Sequence, residues 1–198
     1  MNLAGTVTEP DGRPVADATV KASPFIPGLR LEPLTTTTGA AGRYEFTFEN
    51  GMGQGQGGGA VASKPGYEDD YRYVVPAANA LQNFRLYPIT KVAAGATIRV
   101  TLLPDEGFCG FSDEWRCRKF RVVSPTNGML TLTATAEVGN ASGYLEIPRP
   151  YQCCGPALSV PVAANEEVRV HVLMDWTSKV AQTFLLQTSL ESPRNLPQ

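Results

Sequence analysis

The sequence predicts an all-β protein, two tandem antiparallel β-sandwiches of about seven strands each, the size such sandwiches usually have. Three observations predict it. Apolar and polar residues alternate with period two in run after run, and no sustained 3.6-residue pattern competes. The 198 residues include 18 Thr and 17 Val against 4 Ile, with 19 Gly, 16 Pro and only 18% charged side chains. That is a chain rich in β-branched residues and turn formers, and its 42% hydrophobic content is enough to build a core. Turn chemistry then recurs between the alternating runs.

Taken in order, Gly5-Thr6-Val7 opens a first strand, and Pro10-Asp11-Gly12-Arg13-Pro14 follows as a tight turn. There Pro fixes φ and Gly supplies φ > 0. Ala18-Thr19-Val20 begins the next strand, and Tyr44, Phe46 and Phe48 alternate with Arg43, Glu45 and Thr47 in another. The run Gly51–Gly59 reads as a loop, ahead of a weak strand over Ala60–Ser63 and a turn at Lys64-Pro65-Gly66-Tyr67. A boundary falls near Pro88–Lys91, giving domains at 1–88 and 92–190 and a tail at 191–198. Beyond it Ile98, Val100 and Leu102 alternate with Thr97, Arg99 and Thr101. Pro125-Thr126-Asn127-Gly128 carries the Asn-Gly pair that favours a hairpin. Leu130, Leu132, Ala134 and Ala136 alternate with threonines, and Val168, Val170, Val172 and Met174 with Glu167, Arg169, His171 and Leu173. One buried face per strand is the pattern of sheets packed face to face.

The order Gly5-Thr6-Val7, Asp11-Gly12-Arg13-Pro14-Val15, Ala18-Thr19-Val20, Thr38, Gly42-Arg43-Tyr44-Glu45-Phe46, Pro65-Gly66-Tyr67 and Phe84-Arg85-Leu86 resembles the carboxypeptidase regulatory-like domain, a transthyretin-like (prealbumin-like) sandwich. The likeness covers about residues 2–88. It departs at the Gly-rich run 51–59, which leaves the place of the following strand open. The second half is similar, through softer motifs, to the bacterial pre-peptidase C-terminal β-sandwich. These motifs are Ala94–Val100, Asn127–Leu132, Glu167–Val172 and Phe184–Thr188. Both resemblances imply accessory, non-catalytic modules of extracellular multidomain proteins.

The formal charge is −2, from 17 basic and 19 acidic residues, which argues against nucleic acid as a partner. There is no 18-residue apolar run, so no membrane insertion is expected. Met1-Asn2-Leu3 leads straight into a strand without a signal peptide. Two readings follow, a cytosolic protein or an excised piece of a longer extracellular or cell-surface protein, and the four cysteines favour the second. His171 is the single histidine and lies on the polar side of its strand, so it reads as a solvated surface residue rather than a catalytic base.

Cys109 and Cys117 flank one loop, and Cys153 and Cys154 stand side by side in another. Adjacent cysteines would close a ring containing a peptide unit. The favoured pairing therefore joins Cys109 and Cys117 each to one of Cys153 and Cys154. A local Cys109–Cys117 bond with an adjacent Cys153–Cys154 bond is the alternative, with free thiols or zinc behind it. The acidic groups Glu68-Asp69-Asp70, Asp105-Glu106 and Asp113-Glu114 read as solvated loop charge. No cofactor is expected; calcium is the one metal such loops would suit, although their spacing matches no defined calcium loop. Asn140-Ala141-Ser142 is a formal glycosylation acceptor. The candidate ligand-binding residues are Trp115, Tyr151 and Trp176, aromatics in loop-like stretches whose amphipathic faces suit sugar rings or protein partners.

The expected function is thus a non-enzymatic accessory pair that spaces, stabilises or presents neighbouring domains of its parent protein. Polysaccharide or protein would be contacted through the loops of the second domain. A carbohydrate-binding module and a small hydrolase using the loop carboxylates are the rivals.

Overall fold

The computed structural model describes residues 2–24, 32–47, 58–74, 79–109, 115–137, 143–148, 151–175 and 178–192, leaving aside the side chains of Pro24, Asn79, Tyr151 and Asp175. Phe48, the glycines 51–57, Asp113, Glu114, the glycosylation acceptor at 140–142, Trp176 and the tail from 193 lie outside these residues. The described residues are all-β, mostly antiparallel, and no helix among them is long and apolar enough to cross a membrane. The chain divides into two compact units, Met1–Pro88 and Ile89–Gln198.

The first unit contains β1 (Asn2–Thr8), β2 (Thr19–Pro24), β3 (Leu34–Thr37), β4 (Arg43–Thr47), β5 (Gly58–Ser63), β6 (Tyr67–Glu68), β7 (Asp70–Val74), β8 (Asn79–Leu81), β9 (Phe84–Arg85) and β10 (Tyr87–Pro88). One sheet has the order β3-β2-β5-β7, the other β4-β1-β8 with β9 also on β1, and β10 pairs β6. The alternation read from the sequence puts Leu3, Val7, Val20, Tyr44, Phe46, Phe84 and Leu86 into one core. The turn expectations hold: Gly12 (φ 86) and Gly66 (φ 87) both take the left-handed backbone that glycine tolerates. The Thr38 hydroxyl, buried, accepts from the Ala18 amide at 2.9 Å and donates to the Val15 carbonyl at 2.7 Å. The weak strand is central, since β5 pairs both β2 and β7. A Cβ on Gly59 would stand 2.6 Å from the Tyr71 hydroxyl, so the missing side chain is what lets that ring lie across the strand.

The second unit contains β11 (Lys91–Ala93), β12 (Thr97–Leu102), β13 (Trp115–Val123), β14 (Gly128–Ala136), β15 (Tyr144–Pro148), β16 (Tyr151–Gly155), β17 (Ala157–Val162), β18 (Glu167–Asp175) and β19 (Gln182–Glu191). A five-stranded sheet, β11-β13-β18-β15-β16, faces a four-stranded one, β12-β19-β14-β17. Val100, Leu102, Leu130, Leu132, Val170, Val172, Met174, Phe184 and Leu186 fill the space between them. The strand β19 continues to Glu191, where the tail was expected to begin.

The Asn127-Gly128 hairpin does not form. The strands on either side, β13 and β14, belong to different sheets, so this segment carries the chain across the sandwich. A type I′ hairpin turn needs φ > 0 at both central residues, and Gly128 is not among the residues with positive φ. The Asn127 side chain is engaged elsewhere: its Oδ1 accepts from the Ala164 amide at 2.7 Å. What Gly128 supplies is room, because a Cβ there would meet the Glu191 carbonyl oxygen at 2.5 Å.

Candidate functional site

The outer face of the five-stranded sheet carries an unexpected second layer. Along β18 the core-facing residues Val170, Val172 and Met174 are buried, as the alternation requires, but His171 and Leu173 on the opposite face are buried too. Leu173 packs with Cys109 and Cys117, and Trp115, Tyr144 and Cys153 close around them. Strand register explains the meeting. Leu173 lies opposite Cys117 on β13 and opposite Tyr144 on β15, while Trp115 stands at the head of β13. The rings of Trp115 and Tyr144 meet edge to face with centroids 4.9 Å apart, a geometry that aromatic quadrupoles favour.

Trp115 is therefore a half-buried strand residue rather than an aromatic on a free loop. Tyr151 begins β16 opposite Pro148, and its side chain is outside the described residues, as is Trp176. Tyr144 and Leu173 escaped sequence reading. Their signal was an apolar residue, Leu173, on the side of the strand that should have been polar.

The cysteines lie within bonding distance as Cys109–Cys117 and Cys153–Cys154. The favoured cross-loop pairing is overturned by strand order. Cys117 sits on β13 and Cys153 on β16, with β18 and β15 between them. Neighbouring strands are about 4.8 Å apart, so the two are separated by about 14 Å. A disulfide spans Cα atoms up to only about 7 Å apart. Cys109 bonds locally because residues 107–109 lie along β13: the Cys109 amide donates to the Trp115 carbonyl at 3.2 Å and the Cys117 amide to the Gly107 carbonyl at 3.0 Å. Cys154 takes φ 73, and the register of β15 against β16 shifts at Leu145/Glu146. Cys154 is thus the extra residue of a β-bulge, between Cys153, which faces Glu146, and Gly155, which faces Leu145.

His171 is not solvated; it is only 6% exposed. Its Nδ1 lies 2.9 Å from Oε2 of Glu146, directly opposite on β15, and its Nε2 is buried without a hydrogen-bond partner among the described residues. Burial holds the imidazole below its usual range, the charges of Lys119 and Arg169 push the same way, and the Glu146 carboxylate opposes them. The neutral ring is the folded form, with Nδ1–H donating to Glu146. Because the folded value lies below the unfolded one, the histidine's contribution to stability is present above about pH 6.5 and is lost as pH falls through the depressed folded value. Urea midpoints measured between pH 7 and pH 4 should therefore fall more steeply for the natural chain than for His171→Gln, which has no imidazole to protonate. Equal slopes would rule out this role.

Two of the acidic groups are also less solvated than expected. Glu68, Asp70 and Glu106 are buried, while Asp69 is exposed. Asp70 faces the first core, where its Oδ2 accepts from Arg72 Nη2 at 2.9 Å, Arg72 Nε at 3.1 Å and the Arg85 amide at 2.8 Å. Burial pushes the neighbouring Tyr44 phenol up, with the Asp70 charge adding to it. Among the described residues no three His, Cys, Asp or Glu side chains are grouped so as to hold a metal ion. An open groove of about 570 Å³ in the first unit is lined by Ala4, Thr6, Arg43, Tyr44, Glu45 and Leu81, and offers no convergent set of reactive groups.

No family model matches the chain, and no curated protein does. Solved structures are similar to it only at low identity and low TM-score. A DUF3823 family protein from Parabacteroides merdae is 12% identical over 96% of each chain, with a TM-score of 0.36. The pre-peptidase C-terminal domain of a Bacillus anthracis collagenase is 13% identical over 51% of this chain and 94% of that one, with a TM-score of 0.33. A streptococcal ancillary pilin is 12% identical over 100% of this chain, with a TM-score of 0.32, and this chain spans 55% of its length. None of these bears on what this chain binds.

Proposed function

We propose that the chain is a non-catalytic pair of accessory β-sandwich modules from an extracellular or cell-surface protein. On this reading the first unit is the carboxypeptidase regulatory-like module and the second the pre-peptidase-like module. The outer face of the second unit's five-stranded sheet makes the ligand contact. The observation that carries this reading is the Trp115–Tyr144 pair, seated on an apolar cluster with a disulfide at each side of the sheet. A sheet face bearing aromatic rings offers surfaces for stacking sugar rings, because an aromatic face is apolar while its edge tolerates hydroxyls. The disulfides support an oxidising compartment. Placing the platform on strands fixes the rings before the ligand arrives and so lowers the entropic cost of binding.

Affinity electrophoresis through gels containing single polysaccharides tests the reading. One glycan should retard the natural chain, and Trp115→Ala should weaken that retardation at least tenfold, the equivalent of about 1.4 kcal/mol. Trp115→Phe keeps a ring against Tyr144 and should retain most of the binding. Indifference to every glycan, or full binding by a folded Trp115→Ala variant, would remove the sugar contact.

A further inference from the structure

We infer that the Cys153–Cys154 bond is a redox catch on the Trp115–Tyr144 platform, released by a dithiol while Cys109–Cys117 stays closed. The inference rests on the ligand reading above for its consequence, but not for its geometry.

The two disulfides differ first in access. Cys109 and Cys117 are 3% and 6% exposed, whereas Cys154 is an exposed residue on β16. That strand ends its sheet, paired with β15 alone among the described residues. Thiol–disulfide exchange needs in-line approach of a thiolate to a sulfur, so the exposed bond reacts first. The thiolate of a dithiol attacks Sγ of Cys154, and Cys153 leaves as a thiolate and takes up a proton. The second thiol then closes on the first, releasing Cys154 as a thiol. The dithiol becomes a cyclic disulfide, and the protein gains two electrons and two protons.

The two bonds also differ in what they hold. Cys154 is a non-glycine residue in the left-handed region, and it occupies the bulge. Left-handed backbone is disfavoured for a residue with a Cβ. While the ring to Cys153 is closed, Cys154 is tied to its neighbour in that place. Once it opens, Cys154 can take extended backbone and pair with Leu145. The ladder then continues without an extra residue, and Gly155 moves from opposite Leu145 to opposite Tyr144. Tyr144 is the ring against which Trp115 is set, and Cys153 packs on the same cluster. Opening the bond therefore changes the strand partner directly beside the platform.

The test uses the full chain without ligand. After graded dithiothreitol, alkylation and peptide mass mapping should find Cys153 and Cys154 labelled before Cys109 and Cys117. In that state amide exchange across 144–148 and 151–157 should change at least tenfold, with the rest of the second unit unmoved. Two variants separate the catch from simple loss of a bond. Cys153→Ser with Cys154→Ser should reproduce the reduced pattern. Cys153→Ser with Cys154→Gly should keep the oxidised pattern, because glycine accepts positive φ and preserves the bulge. Prior labelling of Cys109 and Cys117, unchanged exchange after opening Cys153–Cys154, or identical exchange in the two variants would each overturn the inference. Failure of the oxidised chain to bind any glycan would count against the ligand reading alone, since the exchange measurement contains no sugar.

Discussion

Asp70→Ala is expected to lower the stability of the first unit by about 3–5 kcal/mol, the cost typical of breaking a buried ion pair by deleting one partner. The carboxylate accepts two hydrogen bonds from Arg72 and one from the Arg85 amide, and the side chains of Asp70 and Arg72 are 4% and 10% exposed. Truncation removes the one carboxylate oxygen that accepts all three of these hydrogen bonds. Asp70→Asn, which keeps the shape and the acceptor for Arg85, should cost less. Because the two units have separate cores, hydrogen exchange should accelerate through β1–β10 and stay near its natural rate through β11–β19. A loss below about 1 kcal/mol, the range of exposed pairs, would mean that water reaches this pair in solution.

Cys109→Ser with Cys117→Ser should destabilise the second unit by about 2–3 kcal/mol, since the bond closes a loop of eight residues' separation and its loss restores that freedom to the unfolded chain. The matching substitution of Cys153 and Cys154 should cost about 1 kcal/mol or less on the same account, because the loop is a single peptide unit. Urea titrations followed by circular dichroism give both values. The ordering is informative in itself. Cross-loop bonds would enclose some 35–45 residues each, and on that account breaking either would cost about 4 kcal/mol. Similar and large losses for both substitutions would therefore favour the pairing that strand order excludes.

The periodicity of the chain carried most of its fold. Strands such as β4, β12, β14 and β18 have a hydrophobic face written into alternate residues, and the backbone period of two decides which side chains share it. The turns at Gly12 and Gly66 were legible for a similar reason, since a left-handed backbone position selects glycine locally. Asn127-Gly128 misled because the same dipeptide also serves where close packing against a neighbouring strand, rather than turn geometry, requires glycine. The weak strand β5 looked marginal because its small residues match large side chains on β7, a complementarity visible only once the two strands are paired.

The candidate site was less legible. Trp115 and the four cysteines stood out by residue type, yet their company did not, because sheet order is not a local property. The sequence by itself determined an all-β chain in two halves, with the inward residues of most strands and the turns that local backbone chemistry dictates. Only the tertiary structure decided which residues of the outer faces would be covered. Placing β18 between β13 and β15 sets His171 against Glu146 and Leu173 between Cys117 and Tyr144, turning a polar-looking face into a second packed layer. The same placement puts two strands between the cysteine pairs. Each pair must then bond within its own reach, because about 14 Å of sheet exceeds what a disulfide can span.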